Sequence, residues 1–279
     1  MKMKVLAIVV VYNPAIETLL SNIQTYYEDV EHVLILDNST KPDIKKELKE
    51  RSDMNNILYK DMNGNHGVAI ALNYGFQYAL SLGCNWVLTM DQDSCFISRL
   101  TGFYQYLDSV SVEKLIFLAP VYSVYDKSIS NRTIRNRFIW QSGNLVQVAN
   151  YYKLGPYLEK LFIDYVDYEY CLRAHRFGYD YLQIPSVVLK HNPGILRVGH
   201  FLGIKYRYSD SSLIRYYYFF RNGCYVISVY KNLQCVFQLV KILVKIILLE
   251  QQKKKKLIWA YRGFLDFCKG RFGNLADII

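Results

Sequence analysis

The chain has no CxxC pair, no GxGxxG fingerprint and no GxxxxGK[ST] loop. Without the glycine signatures, neither a dinucleotide-binding Rossmann site nor a P-loop ATPase is supported. The six cysteines (Cys84, Cys95, Cys171, Cys224, Cys235 and Cys268) are scattered, several in apolar stretches. That pattern argues against zinc and reads as buried free thiols in a reducing compartment. There are no internal repeats and no low-complexity linker. Charged residues make up 21% and hydrophobic residues 52% of the chain, which excludes disorder and fibrous polymers. The first residues, MKMKVLAIVVVYNP, begin as a secretory leader would. The apolar run, however, is only about seven residues long and meets Asn13-Pro14 with no small-residue cleavage pattern, so a buried first strand fits better.

What is abundant is tyrosine, with 26 residues, and positive charge, with a net of +10. Rigid amphipathic rings suit sugar-facing or membrane-facing surfaces as well as cores. The charge is uneven: residues 231–279 hold ten Lys or Arg against three Asp or Glu, so +7 lies in that stretch and +3 in residues 1–230. A basic tail on a nearly balanced body suggests an anionic surface. At 279 residues the chain suits one large domain, or one domain with a tail. The split expected is 1–230 for the domain and 231–279 for a basic, amphipathic helical extension.

Residues 4–12 (KVLAIVVVY), 32–36, 57–60 and 86–90 read as strands, the first a β-branched run buried on both faces. Helical spacing lies between them at 16–27, 43–52 and 68–82. This β-α alternation over about 90 residues predicts a doubly wound α/β half. Further strands are expected at 115–125, 138–148 and 181–189, a loop at 151–159, a helix at 168–178, and a helical, aromatic-rich remainder. Asn13, Asp37, Asp91 and Asp93 all follow strand ends, the edge where open parallel sheets bind ligands.

Asp91-Gln92-Asp93 directly follows the strand WVLTM. Two carboxylates one residue apart can reach one hard cation, which can then hold a diphosphate; the bland alternative is a turn with solvated acids. His191 ends another apolar strand and can reach the same cation, whereas His200 has weaker claims. A second acidic cluster comprises Asp164, Asp167 and Glu169, followed by Arg173. A helix start at Asp167 would favour its ionised form, and Asp167 with Glu169 can act as a base and its neighbour. The competing view is plain capping with a Glu169–Arg173 pair at i,i+4.

Together these segments resemble the inverting family 2 glycosyltransferases, and within them the bacterial rhamnosyltransferase group. The resemblance rests on Asn13-Pro14 after VVVY, Asp37-Asn38-Ser39, the run from Asn63 to Gly75, and MDQDS. It extends to Ser142-Gly143-Asn144-Leu145, to Asp167, Glu169, Arg173, Gly178 and Tyr179, to His191, and to Arg215, Tyr217, Tyr218, Arg221 and Asn222. It covers roughly residues 4–225 and implies a GT-A fold, a mixed sheet flanked by helices. By that resemblance Tyr12, Asn13 and Asp37 contact the nucleoside, and Asn65 and Asn73 lie beside the nucleotide-sugar. Asp91 touches ribose or diphosphate, and Asp93 with His191 binds Mg²⁺ or Mn²⁺. Asp167 is the base for the acceptor hydroxyl, with Asp164, Glu169 and Arg173 as secondary candidates; where many relatives have two adjacent acids, this chain has Val166-Asp167. Arg215 and Arg221 can contact the diphosphate or an anionic lipid-linked acceptor. The alternative for these two arginines is cationic stacking on an aromatic helix.

The expected reaction moves a sugar, L-rhamnose from dTDP-rhamnose, to a lipid-linked saccharide in cell-surface polysaccharide synthesis. Another UDP- or dTDP-sugar is the alternative within the class. A sugar nucleotidyltransferase is disfavoured because residues 13–20 lack a basic glycine-rich loop. A membrane scaffold would not need Asp91, Asp93, Asp167 and His191 together. In the tail, residues 233–249 carry Gln234, Gln238, Lys241 and Lys245 as one polar helical stripe on an apolar cylinder. Seventeen helical residues reach only about 25 Å, short of a bilayer core. With Lys253–Lys256 following, segment 233–256 is expected to lie on an anionic membrane surface, at the cytoplasmic face of the bacterial inner membrane. A helix packed on the domain is the alternative. No nucleic-acid partner is expected, because the charge is confined to the tail and no recognition motif is present.

Overall fold

A computed structural model describes residues 3–52, 57–123, 134–135, 138–191, 195–201 and 204–278, the backbone alone at 134–135, 191, 195–197, 199–201 and 204–209. The chain forms two compact units. Unit 1 is residues 1–157 with 170–192, and unit 2 is residues 158–169 with 193–279. These boundaries differ from the division at 230 that charge distribution suggests.

In unit 1 the first strands follow the apolar runs: β1 (Val5–Val11), β2 (His32–Asp37), β3 (Ile57–Asp61) and β4 (Trp86–Asp91). Every residue of β1 is buried, as expected for the middle of a parallel sheet. β2 and β4 flank β1 in parallel, and β3 pairs in parallel with β2. Helices α1 (Ile16–Gln24), α2 (Pro42–Arg51) and α3 (Val68–Ser81) connect them. α3 packs closely on β1: a Cβ on Gly75 would lie 2.7 Å from the Ile8 side chain.

Beyond β4 the sheet becomes mixed. The short β5 (Ser94–Phe96) and α4 (Thr101–Leu107) lead to β6 (Leu115–Ser123). β7 (Ile134–Arg135), β8 (Asn144–Gln147), α5 (Val148–Leu154), α6 (Val166–Arg176) and β9 (Asp180–His191) follow. The sheet order is β3-β2-β1-β4-β8-β6-β9-β5, with β7 also on β9. β8 runs antiparallel to β4 and β6, and β5 antiparallel to β9. One apolar core runs along the sheet from Val5 to Leu189 and takes in Leu88, Leu118, Leu145 and Leu182. The strand expected over 138–148 is confined to β8. The loop expected at 151–159 begins instead as the last turn of α5, where Asn150 is buried and donates to the carbonyls of Val112, Glu113 and Leu115. The end of the 115–125 strand lies outside the described residues.

Unit 2 holds an antiparallel hairpin of β10 (Ile195–Phe201) and β11 (Ile204–Asp210). Helices α7 (Leu213–Tyr230), α8 (Leu233–Leu248) and α9 (Lys253–Cys268) follow. The hairpin corrects the all-helical reading of this region. α7 and α9 cross so closely that a Cβ on Gly263 would lie 2.2 Å from the Tyr217 carbonyl oxygen. A buried ion cluster ties the unit together: Lys256 Nζ lies 2.7 Å from Asp210 and 2.9 Å from Glu250, Lys245 reaches Glu250 at 2.7 Å, and the Tyr216 hydroxyl donates to Glu250 at 2.5 Å. Among the described residues no helix is long and apolar enough to cross a membrane.

Candidate active site

The polar ends of β1, β2 and β4 are tied to one another by side-chain to backbone bonds. Asn13 has a left-handed backbone (φ 45°), which asparagine tolerates better than most residues. Its amide N–H donates to Ser39 Oγ at 2.8 Å, and its Oδ1 accepts from the Thr40 and Lys41 amides at 3.2 Å. Asp37 is fully buried; its carboxylate accepts from the Ser39 amide at 2.8 Å and the Tyr59 hydroxyl at 2.7 Å. It therefore shapes the turn after β2, and burial together with this carboxylate drives the Tyr59 phenol pKa upward. Tyr12 is 47% exposed. The loop before α3 turns through positive φ at Asn63, Gly64 and Gly67, and Asn65 Oδ1 accepts from the Gly67 amide at 3.1 Å.

Asn73 departs from its expected place beside the donor. It is buried, its amide donates to the Tyr157 carbonyl at 3.0 Å, and its Oδ1 accepts from the Tyr151 hydroxyl and the Tyr157 amide. Its polar atoms are spent fastening α3 to the segment after α5. Arg173 likewise serves that segment, donating to the carbonyls of Leu154 and Pro156.

Gln92 and Asp93 form the two-residue turn between β4 and β5, and Asp93 is exposed. Two groups brace this turn that the residue types alone did not single out. Gln92 Oε1 accepts from the Tyr12 amide at 2.7 Å, joining β1 to β4. Ser142 Oγ accepts from the Asp91 amide at 3.0 Å, while the Gly143 amide donates to the Thr89 carbonyl at 2.6 Å. Gly143 needs to be glycine, since its φ is 85° and a Cβ would lie 2.7 Å from Pro120. The backbone register sets His191 opposite Ser94, next in sequence to Asp93; the side chains of His191 and His200 lie outside the described residues. Among those residues no group of three or more His, Cys, Asp or Glu forms a metal cluster. Carboxylate oxygens of Asp91 and Asp93 at one strand end, with His191 in register beside them, are the hard donors that Mg²⁺ or Mn²⁺ takes.

The second acidic cluster belongs to unit 2. Leading into α6, Phe162, Asp164 and Tyr165 all have positive φ (66°, 56° and 64°). Such a run of non-glycine residues costs roughly 1–2 kcal/mol per residue and must be held by its surroundings. Asp167 is partly accessible, yet enough protein surrounds its carboxyl that desolvation, aided by the nearby Asp164 charge, pushes its pKa up to about 7. The Tyr168 amide and the Arg215 charge oppose this and do not prevail. The expectation that the helix end would favour the ionised form is thereby overturned by burial. Asp164 is paired through both oxygens with the Arg215 guanidinium, which remains 46% exposed. Glu169 is buried and accepts from the Tyr230 hydroxyl at 2.6 Å, so it is poorly placed to be a free base.

Arg221 is a correction. It is fully buried, and Nε, Nη1 and Nη2 donate to Asn222 Oδ1, the Tyr217 hydroxyl and the carbonyls of Gly273, Lys160 and Leu161. A guanidinium has five N–H groups. All five are used, so none remains for a diphosphate.

Residues 7–146, half of the chain, match the family model for glycosyl transferase family 2. The chain belongs to that family. This sets aside the nucleotidyltransferase and scaffold readings: the protein is a glycosyltransferase. It is 29% identical over 218 residues to the "dTDP-rhamnosyl transferase RfbF" of Shigella flexneri, covering 70% of this chain and 71% of that protein. Among solved structures it is similar to GalNAc-T7 crystallised with UDP, GalNAc and Mn²⁺, with a TM-score of 0.61 at 14% identity. That likeness covers 81% of this chain, which spans about half (48%) of the GalNAc-T7 chain. It identifies the GT-A fold of a family 2 transferase: a mixed sheet with its acidic turn at the end of β4, followed by C-terminal helices.

Proposed function

We propose that this glycosyltransferase moves L-rhamnose from dTDP-rhamnose to a lipid-linked saccharide, in cell-surface polysaccharide synthesis at the cytoplasmic face of the bacterial inner membrane. The observation that carries the donor side is the Asp91–Asp93 turn at the C-terminal edge of β4, braced by Gln92 and Ser142. The similarity to the RfbF protein supports dTDP-rhamnose as that donor. On the acceptor side Asp167 takes the proton from the attacking hydroxyl. The hydroxyl oxygen forms the new bond to the anomeric carbon as the bond to the diphosphate oxygen breaks, which inverts that carbon and releases the nucleoside diphosphate. A carboxyl with a pKa near the working pH suits such a proton transfer. Held by Asp93 and His191, Mg²⁺ or Mn²⁺ would neutralise charge on the departing diphosphate. Tyr12 offers a ring for the base.

Thermal unfolding with nucleotides tests the donor assignment, since a ligand that binds the native state raises Tm by mass action. dTDP should raise Tm in the presence of Mn²⁺ and do so less without it. A larger shift with UDP would instead favour a UDP-sugar.

The membrane side rests on α8. Cys235, Leu239 and Ile246 are buried, while Leu233, Val236, Phe237, Val240, Val244, Ile247 and Leu248 are exposed on the opposite arc. That arc spans roughly 120° of the helix, is flanked by exposed Lys241, and is followed by exposed Lys253, Lys254 and Lys255. Lys256 does not contribute, being held in the ion cluster with Asp210 and Glu250. Phe237 is 70% and Val240 50% exposed, so F237E/V240E should leave Tm nearly unchanged. Co-flotation with vesicles containing phosphatidylglycerol should fall at least about tenfold, because apolar burial drives interfacial binding. Undiminished flotation would remove α8 as the docking face.

A further inference from the structure

We propose that Arg221 and Asn222 are positioning residues for Asp167: by clamping the carbonyls of residues 160–164 they hold the left-handed turn from which α6 starts. The proposal deepens the reading of Asp167 as base and rests on it. Asn222 Nδ2 donates to the carbonyls of Leu161, Ile163 and Asp164 at 2.8, 2.6 and 3.0 Å. Arg221 adds the Lys160 and Leu161 carbonyls, and its Nε locks Asn222 Oδ1 at 3.0 Å. Five donor contacts from two adjacent residues of α7 thus fall on one short stretch of backbone. That stretch contains Phe162 and Asp164, both at positive φ, and runs directly into Tyr165, the third such residue.

Both clamp residues are fully buried and belong to the same unit as the turn. The guanidinium also lies 4.9 Å from the Tyr218 ring centroid, and Tyr218 stacks on Phe162 with centroids 5.1 Å apart. Gly223, next in sequence, lets Tyr165 approach: a Cβ there would lie 3.0 Å from the Tyr165 hydroxyl. Residues 221–223 therefore fit the turn at both of its ends. Two residues beyond Tyr165 comes Asp167, whose surroundings include Asp164, Arg215 and the Tyr168 amide. Loosening the turn admits water to that carboxyl and lets its charged form be solvated.

The test reads Asp167 directly, without a saccharide acceptor. A carboxyl that stays protonated in the fold to a higher pH than in the unfolded chain makes stability fall as pH rises between the two pKa values. The Tm difference between a protein with Asp167 and its D167N counterpart, followed from pH 4 to 9, isolates that titration. In the wild-type background the difference should change as pH rises above the ordinary carboxyl range and level off near pH 7. In N222A the levelling-off point should move down by about a pH unit or more, and in N222S, which keeps one donor, by less. An unchanged levelling-off point in either variant overturns the proposal, and N222S serves should N222A fail to fold. In the transfer assay, N222S should lower kcat with donor KM unchanged, and N222S/D167N should be no slower than D167N alone, since residues acting through one group are not additive. Additive losses would mean that Asn222 supports the fold generally. Full activity of D167N would instead remove the base reading, while the titration result would still stand.

Discussion

Replacing Asp167 by asparagine is expected to lower transfer by about 10²- to 10⁴-fold, the range over which a positioned general base contributes. Nucleotide binding should survive, because the Asp91–Asp93 turn is built from other elements. Asparagine keeps the shape of aspartate and removes only the proton acceptor. A loss of dTDP-dependent stabilisation would show that Asp167 contacts the donor instead. The wild-type rate should fall as pH drops through about 7, as the carboxyl takes up a proton and can no longer accept one from the acceptor. R215M should alter this limb in a defined direction. The Arg215 charge stabilises the ionised Asp167, so its removal moves the acid limb to higher pH. The variant also leaves Asp164 without its cation, and an unpaired Asp164 charge pushes the limb the same way.

The parallel half of the fold was legible because burial on both faces leaves an unmistakable trace: VLAIVVV, HVLIL and WVLTM have almost no polar interruption, and an acid or asparagine follows each within two residues. The hairpin β10–β11 was not legible. Among the described residues its strands, ILRVGHF and IKYRYSD, pair with each other alone, and their mixture of aromatic and basic residues resembles the helical segments that follow. Arg221 and Asn73 show a different limit. An arginine or asparagine in an otherwise suggestive motif looks like a ligand contact, and only the distant chain reveals its partners. For Arg221 these are carbonyls about 50 and 60 residues away; for Asn73, Tyr157 lies 84 residues on. Backbone carbonyls leave no signature in residue type, so side chains that satisfy them cannot be told from side chains that bind a substrate. The brace of the β4 turn was hidden for the same reason: Gln92 and Ser142 act on main-chain amides.

The Asp93→Ala substitution should be nearly silent in the fold and severe in the chemistry. Asp93 is exposed in a two-residue turn whose shape is fixed by its neighbours: Gln92 holds the Tyr12 amide, Ser142 holds the Asp91 amide, and β5 is paired to β9 on the far side. Losing an exposed carboxylate there removes little packing, so Tm without ligand should stay within about 2 °C of wild type. If Asp93 helps to hold the divalent ion, the Mn²⁺-dependent part of the dTDP shift should vanish. Turnover should fall by at least about a hundredfold, because charge stabilisation on the departing diphosphate is worth several kcal/mol and each 1.36 kcal/mol is tenfold in rate. Asp91→Asn gives the needed contrast. It keeps the backbone amide that Ser142 accepts and removes one carboxylate beside the same turn, so it should weaken the dTDP shift both with and without metal if Asp91 touches the nucleotide itself. Loss of the metal-dependent shift alone in both variants would assign both carboxylates to the ion. Retention of wild-type metal dependence in D93A would remove Asp93 from the site, even though the strand edge bearing it is where an α/β sheet binds its ligand.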